Sequence, residues 1–132
     1  MSELGLPSTT APTAAAIGAV AVGGALGALT RYGLGVWFPH IWTTLVINIL
    51  GSLVLGLLAA LLVHDKVWYI FLGTGFCGGF TTFSSFAVEA VTESPMRSIL
   101  YVLGTLIPAI LAAAWGNALG ERWMRRRERA TV

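Results

Sequence analysis

The chain has 132 residues, of which 56% are hydrophobic and 11% are charged, and its formal net charge at pH 7 is +2. A soluble domain of this size cannot bury so large an apolar fraction, so the composition excludes a soluble globular protein and indicates an integral membrane protein. The single cysteine, Cys77, excludes a disulfide within the chain.

Four stretches without a charged residue are each long enough to cross a bilayer, because about 20 residues of apolar helix are sufficient. We therefore predict an all-α integral membrane protein with one domain and four transmembrane helices. The predicted spans are residues 14–33, 42–63, 67–91 and 98–120, and a basic C-terminal tail follows at residues 121–132.

Basic residues are distributed unevenly between the two ends of this predicted bundle. The end that holds the N-terminus, the turn after the second span and the tail carries six of them, against two, Arg31 and Arg97, at the other end. Basic residues are retained on the cytoplasmic side of a membrane, where they also meet anionic lipid. The imbalance predicts that both termini are cytoplasmic.

The third span contains the segment GTGFCGGFTTFSSF, residues 73–86, in which glycines and hydroxyl side chains replace the expected apolar residues. Gly and Thr are weak helix formers, so this window predicts a break between Gly78 and Thr82. Backbone groups freed at membrane depth are tolerated only when buried in protein or facing a cavity, where carbonyls can coordinate cations. The alternative is a continuous helix whose glycines pack against a neighbour and whose hydroxyls bond to the preceding turn.

Several side chains near this break are suited to an anion. Phe83 and Phe86 share a helix face, interleaved with Ser84 and Ser85, and a phenyl ring has an electropositive edge. In the second span Asn48 offers an amide donor, although Asn at this depth is more often a simple link between helices.

Two other spans contribute candidates. Tyr101 and Thr105 lie four residues apart on the fourth span and offer two hydroxyls. Arg31 closes the first span, where it either reaches the interface or sets a positive potential at a pore mouth.

The sequence places no carboxylate in the middle of a span, since Glu89 is near the end of the third. A proton-coupled exchanger requires an ionisable group inside the membrane, so this pattern disfavours one. The chain also has no paired His/Asp/Glu set and no Gly-rich phosphate loop, and we expect no enzyme activity.

Three segments resemble the Fluc (CrcB) fluoride-channel family. They are GGALGALTRY at residues 23–32, TLVINILGS at residues 44–52 and GFCGGFTTFSSF at residues 75–86. The match covers three of the four predicted spans in order, and the third segment is highly specific. The resemblance implies four helices that pair as an antiparallel dimer with two fluoride pathways.

The resemblance also implies roles for the candidates. Phe83 and Phe86 would line the fluoride pathway by their ring edges, and Asn48 would donate to the ion. The backbone carbonyls of Gly78 and Thr81 from both subunits would hold a structural sodium ion at the dimer centre. Further pathway and vestibule positions implied in this way are Ser84, Ser85, Tyr101, Thr105 and Arg31, with Thr105 standing where the family is expected to have Ser.

The function implied is a fluoride-selective channel in the cell membrane that allows passive efflux of fluoride from the cytoplasm. The alternative is a small four-helix multidrug/proton exporter, which would need a membrane-embedded carboxylate. Expected partners are fluoride, membrane lipid and a second chain, and no nucleic acid. Because balanced loop charges favour insertion in both directions, the imbalance leaves open a heterodimer with an oppositely inserted homologous chain beside the homodimer.

Overall fold

The computed structural model describes residues 13–62 and 64–130, and every regular element within these ranges is helical. Val63 and the last two tail residues, which belong to the predicted second span and tail, lie outside them. The elements are α1 (Ala14–Trp37), α2 (Ile41–Leu61), α3 (Lys66–Trp68), a π-helix (Tyr69–Cys77), α4 (Gly78–Phe80), α5 (Phe83–Thr92) and α6 (Pro95–Ala130).

The ends of the long helices follow local sequence signals. The Thr13 hydroxyl accepts a hydrogen bond from the Ala16 amide at 3.3 Å and caps α1. Helix α1 continues past the predicted end at residue 33 and stops at Trp37, just before Pro39 and the restricted residue that precedes it. Helix α6 begins at Pro95, three residues before the predicted span, because proline is well suited to a first helical position.

Close contacts at glycine hold the helices together in two pairs. Gly23 and Gly27 are buried on α1, where an added Cβ at Gly27 would overlap the backbone carbonyl of Phe76 in the π-helix. On the other side, Gly56 of α2 and Gly116 of α6 are buried against each other's helix backbone. Small residues at these points allow the close backbone approach on which helix packing in lipid depends.

The segment predicted as the third span is interrupted, which is one of the two conformations that its sequence allowed. Residues 66–80 run through α3, the π-helix and α4, and then Thr81 and Thr82 are extended, with ψ angles of 158° and 123°. The Thr82 hydroxyl accepts a hydrogen bond from the Ser85 amide at 3.2 Å and so caps α5. The break therefore separates two helical halves, and the second half begins with its own cap.

Within the described residues, three helices are long and apolar enough to cross a membrane, namely α1, α2 and α6. The segment predicted as the third span is divided into shorter elements and is not among these three helices. Contacts also place the charged segments at opposite ends of the bundle. Gly120 packs against Ala60 at one end, near Lys66, whereas His40 and Arg97 line one cavity at the other.

Candidate functional site

Asn48 joins α2 to the break in the third span through both ends of its side-chain amide. Its Oδ1 accepts a hydrogen bond from the Thr82 backbone N–H at 2.8 Å, and its Nδ2 donates to the Thr82 carbonyl at 3.1 Å. An extended residue inside a membrane span has backbone groups without helical partners, and each such group is costly in lipid. The amide of Asn48 supplies both partners at Thr82, so it stabilises the break itself.

The break diverts the helical donors of the two carbonyls that the sequence singled out. In an uninterrupted α-helix the Thr82 N–H would donate to the Gly78 carbonyl, but here it donates to Asn48. The Ser85 N–H would similarly donate to the Thr81 carbonyl, but it donates to the Thr82 hydroxyl. Gly78 is exposed, and an added Cβ there would meet no atom of the described residues within 4 Å. The Gly78 carbonyl thus loses its helical donor beside an open surface, and the half-buried Thr81 loses the helical donor to its carbonyl as well.

Arg31 lies next to the break from the α1 side. Its Nε donates to the Gly79 carbonyl at 3.2 Å, and its side chain lines a cavity of about 530 Å³. We call this the Arg31 cavity; its lining includes residues 38–40, between α1 and α2, as well as Thr82 and Ser85. The cavity combines the positive charge of Arg31 and several hydroxyl groups with the Glu89 carboxylate, so its attraction for an anion is local to the guanidinium.

Glu89 occupies the inner wall of the Arg31 cavity and is held by two hydroxyls. Its Oε1 accepts from Thr44 Oγ1 at 2.7 Å, and its Oε2 accepts from Tyr101 OH at 2.5 Å. Thr44 and Tyr101 are both buried, and their bonds to Glu89 join α2, α5 and α6. Charge-assisted bonds of this kind are the strong ones, and they fix the position of α5 relative to α2 and α6.

Phe83 and Phe86 are neighbours, but their surroundings differ. Their ring centroids are 5.9 Å apart at an interplanar angle of 45°, which agrees with the shared helix face predicted for them. Phe86 is 8% exposed and packs against Tyr101, with ring centroids 5.5 Å apart, whereas Phe83 is 78% exposed. Phe83 therefore presents its ring to the outside of this chain.

A second, open cavity of about 260 Å³ lies on the other side of Thr82, and we call it the phenylalanine groove. Five predicted site residues line this groove: Asn48, Thr81, Phe83, Phe86 and Thr105. The other lining residues are Ser52, Leu55, Thr82, Leu106 and Ala109. Since Thr82 also lines the Arg31 cavity, the residue bound by Asn48 lies between the two spaces.

The remaining predicted residues are engaged within the chain. Thr105 Oγ1 donates to the Tyr101 carbonyl at 2.8 Å, in its own helix, so this hydroxyl presents an acceptor to the groove. Thr82 Oγ1 lies 3.3 Å from the hydroxyl oxygens of both Ser84 and Ser85. Ser84 is exposed and Ser85 faces the Arg31 cavity.

The sequence interpretation gave no role to Glu89, although the structure places it at the centre of a polar cluster. The sequence did contain a signal for a hydroxyl partner of Glu89, because Thr44 precedes Asn48 by four residues and so shares its helix face. A carboxylate between apolar residues of a membrane span needs partners, and the hydroxyls of the neighbouring spans were available.

Comparison with known proteins gives a consistent match. The profile described as CrcB-like protein, Camphor Resistance (CrcB) matches residues 18–117. The chain is 53% identical over 106 residues to "Fluoride-specific ion channel FluC 1" of Rhodococcus jostii, covering 80% of this chain and 86% of that protein. It is 44% identical over 115 residues to "Fluoride-specific ion channel FluC 2" of Bacillus subtilis, covering 79% and 86%. It is 41% identical over 121 residues to "Fluoride-specific ion channel FluC" of Agrobacterium fabrum, covering 80% and 95%.

Proposed function

Because this chain belongs to the CrcB family, we propose that it is a subunit of a fluoride-selective channel through which fluoride leaves the cytoplasm passively, which lowers fluoride toxicity. It is a multi-pass membrane protein and a channel, not an enzyme. The family match also removes the multidrug/proton exporter as an alternative.

The observation that carries this proposal is the Thr82 break, held open by Asn48 between the Arg31 cavity and the phenylalanine groove. An anion enters the Arg31 cavity because the guanidinium provides a positive potential there. It then passes Thr82 and Ser85, whose hydroxyls can replace part of its hydration shell. The second N–H of the Asn48 amide and the electropositive ring edges of Phe83 and Phe86 continue the path.

We place four spans in the membrane, with residues 66–92 forming an interrupted third one, and we place two chains in the channel. The phenylalanine groove supports the presence of two chains, because it is open and exposes most of the Phe83 side chain. A second chain packed against this side would cover Phe83 and complete the wall of the pathway. An antiparallel arrangement would bring two breaks together with opposite polarity.

The same arrangement would also hold a structural sodium ion. Hard cations bind oxygen ligands, and the diverted hydrogen bonds leave the carbonyls of Gly78 and Thr81 available for this purpose. One chain offers two such oxygens, so the donor set fits a cation shared by two chains. When bound, the ion supplies a positive charge at the dimer centre that favours passage of an anion.

The second chain is either another copy or an oppositely inserted homologue. Six basic residues lie at the end of the bundle that holds the tail, and two lie at the other end. This bias favours one direction of insertion, with the termini in the cytoplasm. The pathway residues of one chain are sufficient for a homodimer, since two copies would contribute the same groove twice.

Flux measurements on liposomes that contain this chain alone test the proposal. Fluoride release is followed with a fluoride-selective electrode, and chloride release in the same liposomes is the control. Fast loss of fluoride without loss of chloride is the expected result. Absence of flux both from this chain alone and from this chain combined with a co-encoded homologue would refute it.

A further inference from the structure

Helix α6 carries a row of arginines beyond its last packed residue. Gly120 is buried against Leu57 and Ala60 of α2, whereas the ten residues that follow remain helical and, apart from half-buried Met124, are exposed. Five of these ten are arginines and two are glutamates. With 3.6 residues per turn, four of the arginines lie within about 100° of the helix circumference. They are Arg122, Arg125, Arg126 and Arg129.

The arginine row continues an apolar face of the same helix. Leu111 and Trp115 precede Arg122 by eleven and seven residues, which places each of them within about 20° of Arg122 around the axis. Leu111 is 63% exposed and Trp115 is 61% exposed, so this face of α6 points away from the bundle. Gly116 and Gly120, which contact α2, lie about 120° to 160° from it.

The length of α6 sets the depth of these two parts. The helix has 36 residues and is about 54 Å long, which exceeds the hydrocarbon thickness of about 30 Å. Arg122 lies about 3 Å along the axis past Gly120, and Arg126 lies about 9 Å past it. With the apolar face in the hydrocarbon, the arginines are therefore at the level of the lipid headgroups.

We propose that this face of α6 binds a bilayer lipid with an anionic phosphate headgroup. Its acyl chains lie along Leu111 and Trp115, and its phosphate is bound by Arg122 and Arg126, with Arg129 one turn further. Guanidinium groups match phosphate oxygens in geometry as well as in charge. Arg125 contributes less, because it forms an ion pair with Glu121 at 3.3 Å. The proposal depends on the chain being a membrane protein and does not depend on fluoride conduction.

Charge favours a lipid over a second copy of the chain on this face. A protein partner would have to offer an acidic surface, and the chain has six acidic residues in total. Glu89 accepts hydrogen bonds inside the bundle, and Glu93 is paired with Arg97 at 3.7 Å. Phosphatidylglycerol and related lipids supply the complementary charge at the required depth.

Native mass spectrometry of the full-length chain in detergent, titrated with phosphatidylglycerol or with phosphatidylcholine, tests the proposal. We expect the first phosphatidylglycerol to bind more tightly than phosphatidylcholine. Each arginine at the surface contributes about fivefold, so the variant R122Q/R126Q should bind phosphatidylglycerol about 25-fold more weakly. The control R97Q removes a charge at the other end of the bundle and should change the affinity by less than about twofold. Equal losses in the two variants, or no loss in R122Q/R126Q, would overturn the proposal.

A second measurement leaves the arginines intact and reports the acyl chains. Trp115 is retained as the sole tryptophan, with the other four replaced by phenylalanine, in vesicles that contain brominated lipid. Brominated phosphatidylglycerol should quench Trp115 more strongly than brominated phosphatidylcholine, and the difference should decrease at high salt because the contact is partly electrostatic. Equal quenching by both lipids at low salt would refute the binding of a specific lipid on this face. The proposal would also be refuted if R122Q/R126Q lost chain–chain association but still bound phosphatidylglycerol as tightly as the original chain.

Discussion

Replacing Asn48 with alanine removes the two hydrogen bonds that hold the Thr82 backbone in its extended conformation. The amide accepts from the Thr82 N–H at 2.8 Å and donates to its carbonyl at 3.1 Å. Without the amide, the N–H can regain a helical bond to the Gly78 carbonyl, and the chain can close the break. The expected result is a folded protein with a much slower fluoride flux.

The size of the decrease in flux follows from the two backbone groups of Thr82, its N–H and its carbonyl, that lose their hydrogen-bond partner. A buried polar group left without a partner costs about 1–3 kcal/mol. Because Asn48 is half-buried, we take the lower end for each group, or about 2 kcal/mol for the pair. This energy corresponds to about a 30-fold decrease in the population with an open break, and flux should fall by the same factor.

Liposome efflux with a fluoride electrode measures the effect, and S52A is the matched control. Ser52 lies one turn along α2 from Asn48 and lines the same groove, whereas the two bonds to Thr82 are made by Asn48. We expect S52A to retain flux within about threefold of the original chain, because its loss affects one hydroxyl at the groove wall. If N48A elutes as a folded protein and conducts at the original rate, then Asn48 does not hold the break, and the reasoning is wrong. Equal losses in N48A and S52A would attribute the effect to groove polarity instead.

Three further predictions follow from the packing and charge of the site. R31Q should reduce fluoride flux several-fold at low ionic strength and less at high salt, and flux rates at two salt concentrations check this. R97Q is the control and should change the flux less, because Arg97 is exposed and paired with Glu93. G27V should destabilise the fold by about 1–3 kcal/mol or more, because its side chain would overlap the Phe76 backbone, whereas G33A has open space; thermal unfolding in detergent compares them. Y101F should lower stability by about 1.5–3 kcal/mol, because it removes a hydrogen bond to the carboxylate of Glu89, and it should melt earlier in the same assay.

The elements of the fold were accessible from the sequence because each rests on a local property. Apolar length indicated the long helices, and the weak helix formers between Gly78 and Thr82 marked the position of the observed break, although they also fitted a continuous helix. The ends were less accurate. Helix α1 continues to Trp37 because Gly33 and Gly35 do not stop a helix in this position, whereas Pro39 prevents its extension.

The polar contacts were not accessible in the same way, because they join residues that are far apart in the chain. Asn48 and Thr82 are 34 positions apart, and Thr44 and Glu89 are 45 apart. The local sequence does not distinguish an Asn amide that binds a backbone group from one that faces an ion, since in both cases a polar residue stands on an apolar helix. In the structure, one donor and one acceptor of the Asn48 amide bind Thr82, and one N–H remains for another partner. The same amide can therefore hold the break and face a passing anion, so its removal acts on the geometry of the path as well as on its chemistry.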